Sequence, residues 1–272
     1  MQIGNDTKLF GVFGNPIAHS LSPAMHNRAF VFTGYNGVYL PFRVEHIEAA
    51  VAAVRTLGIK GISVTLPHKV GVMACLDRLD SLAERIGAVN TIVNADGTLI
   101  GYNTDCYGAV SALGQHMDIN GKAVAVIGAG GAARAIGWGV KDAGANVMVV
   151  NRSVENGERL GADLSATFVP LEKVEGLAAD VLINTTPVGM HPQIDAMPVP
   201  VGIFQKEMVV MDIVYTPLET EFLKHARAAG CEIVDGLNMF VLQGARQFEL
   251  WTGLEAPIDI MREAVTEQLK LT

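Results

Sequence analysis

The chemistry this sequence could perform rests on one glycine-rich turn, one lysine and one aspartate, and a scatter of hydroxyl and amide side chains. Gly128, Gly130 and Ala133 spell G-x-G-x-x-A between the apolar run AVAVIG and the helix-forming stretch AARAIGWGVKDAG. A turn of this kind reverses the chain tightly at the first glycine, brings backbone N–H groups close to a pyrophosphate at the second, and packs helix on strand at the alanine. Gly131 and Ala132 lie between them, at a helix N-terminus that attracts negative charge. A merely structural turn is the competing reading, but the strand before and the helix after favour a dinucleotide.

The strand NVMVV ends at Asn151, Arg152 and Ser153. An NAD-preferring site usually carries Asp or Glu at this point, about 20 residues past the glycines, to accept from the ribose 2′-hydroxyl. Here the position offers a guanidinium able to grip a 2′-phosphate, with neutral hydrogen bonds from Asn151 and Ser153. The expected cofactor is therefore NADP. A solvated surface arginine is the other reading of Arg152.

Lys69 in TLPHK and Asp105 in NTDCYG could form an acid/base pair for removing the proton of an alcohol as hydride leaves its carbon. Alone, two such charges 36 positions apart read as solvated surface groups. Their company changes that reading: Ser20 and Ser22 in HSLSP, Thr65, Asn90, Asn103, Thr104, Gln243 and Gln247. In an extended segment Ser20 and Ser22 point to one side and can serve one carboxylate, while helix capping is the competing role for Ser22. Tyr215 in DIVYTPLET reaches a ligand from a strand end or packs in the core. His68 is expected to cap or face solvent. The histidines show no HxxxH or HExxH spacing and the three cysteines no CxxC, so no metal is expected and Cys75, Cys106 and Cys231 read as reduced thiols.

The elements needed to position these groups fall in two halves. The first hundred residues alternate strand and helix: LFGVFG, a helix after Ser22-Pro23, GVYLPF, a helix from about Glu45 to Leu57, GISVT, and a helix opening at Pro67. The rhythm restarts at Lys122 with AVAVIG, followed by NVMVV, DVLINT, MVVMDIV and CEIV, and two helices close the chain. The expected fold is α/β with two domains. Residues 1–106 and 239–272 form an N-terminal α/β substrate domain to which the C-terminal helices return, and residues 107–238 form a Rossmann-like, doubly wound dinucleotide domain. With 272 residues, half of them apolar and 18% charged, there is material for two cores. The net charge of −8 argues against a nucleic-acid partner. No basic-then-apolar leader and no membrane-length apolar run is visible, so a cytoplasmic protein is expected.

In order along nearly the whole chain, GNPIAHSLSPAMHN, GISVTLPHK, GAVNTIVN, GYNTDCYG, GAGGAA, NRS, NTTPVGM, DIVYTPLET and GLNMFVLQGARQFELWTG resemble the shikimate dehydrogenase family. The resemblance implies reversible, NADPH-dependent reduction of 3-dehydroshikimate to shikimate on the route to chorismate and the aromatic amino acids. It implies that Ser20 and Ser22, helped by Tyr215, hold the substrate carboxylate, while Thr65, Asn90 and Gln243 fix the ring hydroxyls. Lys69 corresponds to the acid/base, Asp105 to the group orienting it and the reacting hydroxyl, and Gly236 and Met239 to positions near the nicotinamide. One departure stands out. Some NADP-specific relatives carry a second basic residue four positions after the one matching Arg152, and here that position is Asn156. A charge-assisted hydrogen bond is worth about 1.5–3 kcal/mol, so the exchange weakens NADP preference by about tenfold or more. A quinate/shikimate dehydrogenase using NAD or both cofactors, and a non-catalytic sensor of shikimate or nucleotide, are the alternatives. Lys69 and Asp105 favour turnover over sensing. A monomer or homodimer is expected.

Overall fold

Short runs of Val, Ile and Phe, punctuated by Gly, Pro and Asn, set out two six-stranded sheets in the computed structural model, which describes residues 3–271. One compact unit runs to Thr104 and is rejoined from Val241 onward; the other covers Asp105–Phe240.

The first unit contains β1 (Lys8–Gly14), α1 (Ser22–Thr33), β2 (Gly37–Arg43), α2 (Ile47–Thr56), β3 (Gly61–Val64), β4 (Arg78–Leu79), α3 (Ser81–Ile86), β5 (Thr91–Ala95) and β6 (Thr98–Tyr102). Its sheet runs β2-β1-β3-β5-β6-β4. The pairs of β1 with β2 and with β3 are parallel, whereas β5 is antiparallel to both β3 and β6. That reversal departs from the regular βαβα rhythm of the sequence. The β5–β6 hairpin turns on Asp96-Gly97, both with positive φ, where Asn94 caps the turn by accepting from the Gly97 N–H at 2.8 Å.

A second departure concerns Pro67. No α-helix opens there. A turn leads instead into a 3₁₀ segment at Gly71–Cys75. The Lys69 carbonyl accepts from Val89 N at 2.8 Å, so it is withdrawn from any helical ladder. His68, expected at the surface, is buried and its Nε2 lies 2.9 Å from the Val44 carbonyl. The buried ring anchors this turn from beneath.

The second unit contains α4 (Asp105–Gly114), β7 (Ala123–Ile127), α5 (Gly131–Asp142), β8 (Asn146–Asn151), α6 (Val154–Leu164), β9 (Thr167–Pro170), β10 (Val181–Asn184), β11 (Val209–Asp212), α7 (Glu221–Ala228), β12 (Glu232–Val234) and the start of α8 (Gly236–Thr252). All its strand pairs are parallel, in the order β9-β8-β7-β10-β11-β12. This is the doubly wound Rossmann arrangement, with its switch of direction between β7 and β10. Short β9, half-buried and ending in proline, is the strand that hydrophobic patterning passes over.

The rest of α8 and α9 (Ile258–Leu269) complete the first unit. Arg28 on α1 meets Glu267 on α9 at 2.7 Å. On α8, the Trp251 indole donates to the Ile92 carbonyl at 3.0 Å and covers Gly61, where an added Cβ would lie 2.3 Å from the indole nitrogen. Among the described residues no helix is long and apolar enough to cross a membrane.

Candidate active site

In the second unit the glycine turn stands at the switch point of the sheet, where ligands of open α/β sheets gather. Gly128 follows β7 with φ +115°, its N–H donating to the Val150 carbonyl at 2.8 Å. Any Cβ there would fall 2.6 Å from Thr185 Oγ1, so glycine is required for space as well as for backbone angle. Gly130 is the N-cap of α5 without a capping side chain, and a Cβ on Gly130 or Gly131 would meet nothing within 4 Å. The first N–H groups of α5 therefore border open space that suits a pyrophosphate. Ala133 is fully buried against the sheet and Ala132 half-buried.

Beside this turn lies a cavity of about 280 Å³ lined by Ala129, Gly130, Asn151, Arg152, Ser153 and Asn156. It is neutral apart from Arg152, which no carboxylate pairs among the described residues. Asn151 and Ser153 also hold the backbone: the Asn151 amide donates to the Ser153 carbonyl at 2.8 Å, and Ser153 Oγ caps α6 by accepting from Asn156 N at 3.4 Å. A cradle of N–H groups and one guanidinium beside it fit the phosphates of NADP. Asn156, the position where some relatives carry a second basic residue, also lines the cavity, as does Ala129, whose only sequence signal is that it sits between the first two glycines.

In the first unit the expected substrate residues meet through buried hydrogen bonds. The Asn90 amide donates to Thr104 Oγ1 at 3.0 Å and Asn90 Oδ1 accepts from Thr104 N at 2.8 Å. Thr104 Oγ1 lies 3.4 Å from Gln243 Oε1, to which it can donate. Behind Asn90, the Gln247 amide donates to the Asn90 carbonyl at 3.3 Å and to Thr91 Oγ1 at 3.0 Å. Gln247 Oε1 accepts from Ser63, whose own hydroxyl accepts from Tyr39 at 2.6 Å. Burial pushes the Tyr39 hydroxyl pKa up, and Ser63 and the nearby Ser22 partly offset this. A polar chain thus runs from Ser22 to Gln243 through Tyr39, Ser63, Gln247, Asn90 and Thr104. Tyr39, Ser63 and Thr91 escape sequence reading because strand periodicity assigns them to the core.

Ser20 and Ser22 are not in an extended segment. Ser20 N donates to the Ile17 carbonyl at 3.1 Å, Leu21 is helical and is itself the N-cap of α1, and Ser22 N lies 3.4 Å from Ser20 Oγ. The serines are neighbours because the chain turns, and Ser22 has no capping role. Thr65 and Lys69 occupy the turn after β3, both half-buried. Lys69 is tied to the segment that leads through Asn90 into β5 by its bond with Val89.

Asp105 is buried at the first position of α4. It belongs to the second unit and Lys69 to the first. Tyr215 follows β11, half-buried and packed against Phe240 with the rings tilted and their centroids 4.9 Å apart, and burial raises its pKa. The loop carrying it is held by Asp212, which accepts from Asn184, Val214 N and Thr220. Met239 is buried in the first turn of α8. A Cβ on Gly236 would come within 2.5 Å of the Val214 carbonyl, which gives this glycine a packing reason of its own. The described residues hold no His/Cys/Asp/Glu cluster able to bind a metal. The cysteines are unbridged, and burial raises the thiol pKa of Cys75 and Cys231.

Residues 12–92 match the family model described as shikimate dehydrogenase substrate binding domain, residues 111–221 that of shikimate/quinate 5-dehydrogenase, and residues 236–266 that of the shikimate 5′-dehydrogenase C-terminal domain. The shikimate dehydrogenase (NADP(+)) of Geobacillus kaustophilus is 45% identical, over 97% of this chain and 99% of that one. A solved shikimate dehydrogenase in complex with NADP+ superposes with a TM-score of 0.95 at 40% identity, covering 98% of each chain. The Thermus thermophilus shikimate 5-dehydrogenase, solved with NADP(H) and shikimate, has a TM-score of 0.90 at 39% identity over 96% of this chain and 99% of that one.

Proposed function

The chain belongs to the shikimate dehydrogenase family, and on that footing we propose that it catalyses the reversible reduction of 3-dehydroshikimate to shikimate by NADPH. The observation that carries this reading is the near full-length likeness to relatives named for this reaction and this cofactor. Arg152, standing where an NAD-preferring site has a carboxylate, supports NADP independently.

NADPH, when bound, supplies the hydride; Gly128, Gly130, Gly131, Ala132 and Ala133 receive its pyrophosphate, Asn151, Arg152 and Ser153 its 2′-phosphate, and Gly236 and Met239 border its nicotinamide. Lys69 is the acid/base. In reduction its ammonium gives a proton to the substrate oxygen as the carbonyl carbon gains hydride; in oxidation the amine takes that proton back. Asp105 accepts a hydrogen bond from the same hydroxyl and holds it in line. Ser20, Ser22 and Tyr215 hold the carboxylate, and Thr65, Asn90 and Gln243 hold the ring hydroxyls. Residues 1–106 with 239–272 serve as the substrate domain and 107–238 as the NADP domain. We assign the enzyme to the cytoplasm, as a monomer or homodimer with no nucleic-acid partner.

The test is the initial rate of NADP+ reduction with shikimate, followed by the absorbance of NADPH. Turnover dependent on both compounds is expected. A folded protein inactive with shikimate and either cofactor would falsify the assignment.

A further inference from the structure

We infer that Arg159 provides the second positive charge for the adenosine 2′-phosphate, acting through Asn156. This inference rests on the NADP reading above. A phosphomonoester carries about −1.5 to −2 charges at neutral pH. Arg152 answers one of them, and the other residues lining the cavity, Ala129, Gly130, Asn151, Ser153 and Asn156, are neutral.

Asn156 occupies the first turn of α6, and its Oδ1 accepts a hydrogen bond from Arg159 Nη2 at 2.9 Å. An asparagine amide can turn either its oxygen or its nitrogen to a ligand. With the oxygen held by a guanidinium, the NH₂ group is left to donate and is polarised toward donation. A side chain neutral by type thus presents itself to an anion as a donor backed by a cation. Arg159 is exposed and has no carboxylate partner among the described residues, although Glu155 stands one turn before it on α6. Arg134 on the neighbouring helix is instead bound to Asp163 at 2.6 Å.

NAD lacks the 2′-phosphate, so the contribution appears in the ratio of affinities. We would titrate wild type and the R152A, N156A, R159A and R159K variants with NADP+ and with NAD+ by calorimetry, checking each fold by circular dichroism. Arg152→Ala should lower the NADP+/NAD+ affinity ratio about 10- to 100-fold, as loss of a charge-assisted bond does. Arg159→Ala should lower it by roughly three- to tenfold, Arg159→Lys by less, and added salt should shrink the Arg159 effect. In the N156A background, removing Arg159 should have a smaller effect than in wild type. A ratio within twofold of wild type in R159A, alongside a collapse in R152A, overturns the role of Arg159 and leaves the NADP reading standing. A ratio unchanged in both overturns the two together.

Discussion

Ser63 on β3 donates its hydroxyl to the side-chain oxygen of Gln247 on α8 at 2.7 Å, a bond between residues 184 positions apart in sequence. Gln247 in turn steadies Asn90 and Thr91 from behind. Gln247→Met keeps the volume and removes those bonds, leaving buried polar groups short of partners at a cost of about 1–3 kcal/mol. Urea denaturation should report that loss. Steady-state kinetics should show KM for shikimate rising several-fold with KM for NADP+ little changed, and Gln247→Glu, which restores the acceptor for Ser63, should recover part of it. Equal changes in both KM values would reduce Gln247 to a packing residue.

Lys69→Ala should lower kcat by about 10²–10⁴-fold, the usual span for a general acid/base. Affinity for NADP+, measured by calorimetry, should stay near that of wild type. A kcat within fivefold of wild type would remove Lys69 from the proton transfer.

Asp212 should respond to pH in an unusual direction. Burial raises its pKa from 3.8 to about 6, against the pull of Thr220, Val214 N and Asn184. The folded protein therefore holds this proton more tightly than the unfolded chain. The contribution is fully present below pH 3.8 and is lost as pH rises through 6, so acidification from pH 7 to 5 stabilises by roughly 1 kcal/mol through this group. Comparing urea midpoints at the two pH values, Asp212→Asn should abolish that component. An identical pH response in the variant would contradict it.

His26 works the other way. Its ring is fully buried between Tyr39 and Trp251, and among the described residues neither nitrogen meets a partner at hydrogen-bonding geometry. Burial lowers its pKa to about 3, and the nearby Gln247 offsets only part of that drop. The unfolded chain takes up the proton first, near pH 6.5. Stability present above that pH is lost on acidification, by about 2 kcal/mol at pH 5. His26→Phe should lose less stability between pH 8 and 5 than wild type does, as read from denaturation curves, and a slope as steep as wild type's would rule His26 out as its source.

Quinate carries an extra hydroxyl on the carbon that bears the carboxylate, where Ser20 and the buried Ser22 are assigned. We expect kcat/KM for shikimate to exceed that for quinate by more than about tenfold, because an extra polar group without a partner must be desolvated there. Comparable values would make the enzyme a dual-substrate one.

The nucleotide-binding half was readable because its signals are local: a buried strand, glycines at fixed spacing, a helix, and a polar strand end fall within 31 consecutive residues, Ala123–Ser153. Strands β1, β2 and β3 of the first unit were readable for the same reason. What patterning misjudged depends on partners distant in sequence. Pro67 looked like a helix start because nothing local reveals that Val89 claims the Lys69 carbonyl, or that Val44 claims the His68 ring. Ser20 and Ser22 were assigned to one side of an extended segment, and they adjoin through a turn instead. The Asp96-Gly97 pair is a local hairpin signal, a D-G dipeptide between the apolar residues of β5 and β6. Tyr39, Ser63 and Thr91 look like ordinary strand residues until α8 is packed against them.

The second unit is one unbroken stretch of chain, whereas the first is assembled from two stretches with the second unit lying between them in sequence. As the polypeptide leaves the ribosome, the strands β1 to β6 emerge well before Gln243, Gln247 and Trp251. Until then Gly61 lacks the indole that covers it, and Ser63 and Asn90 lack the amide that joins them. The nucleotide-binding half can complete its sheet during synthesis. The half that recognises substrate must wait for the last 32 residues, so a chain cut short before Val241 has a place for the cofactor and an unfinished one for what the cofactor reduces.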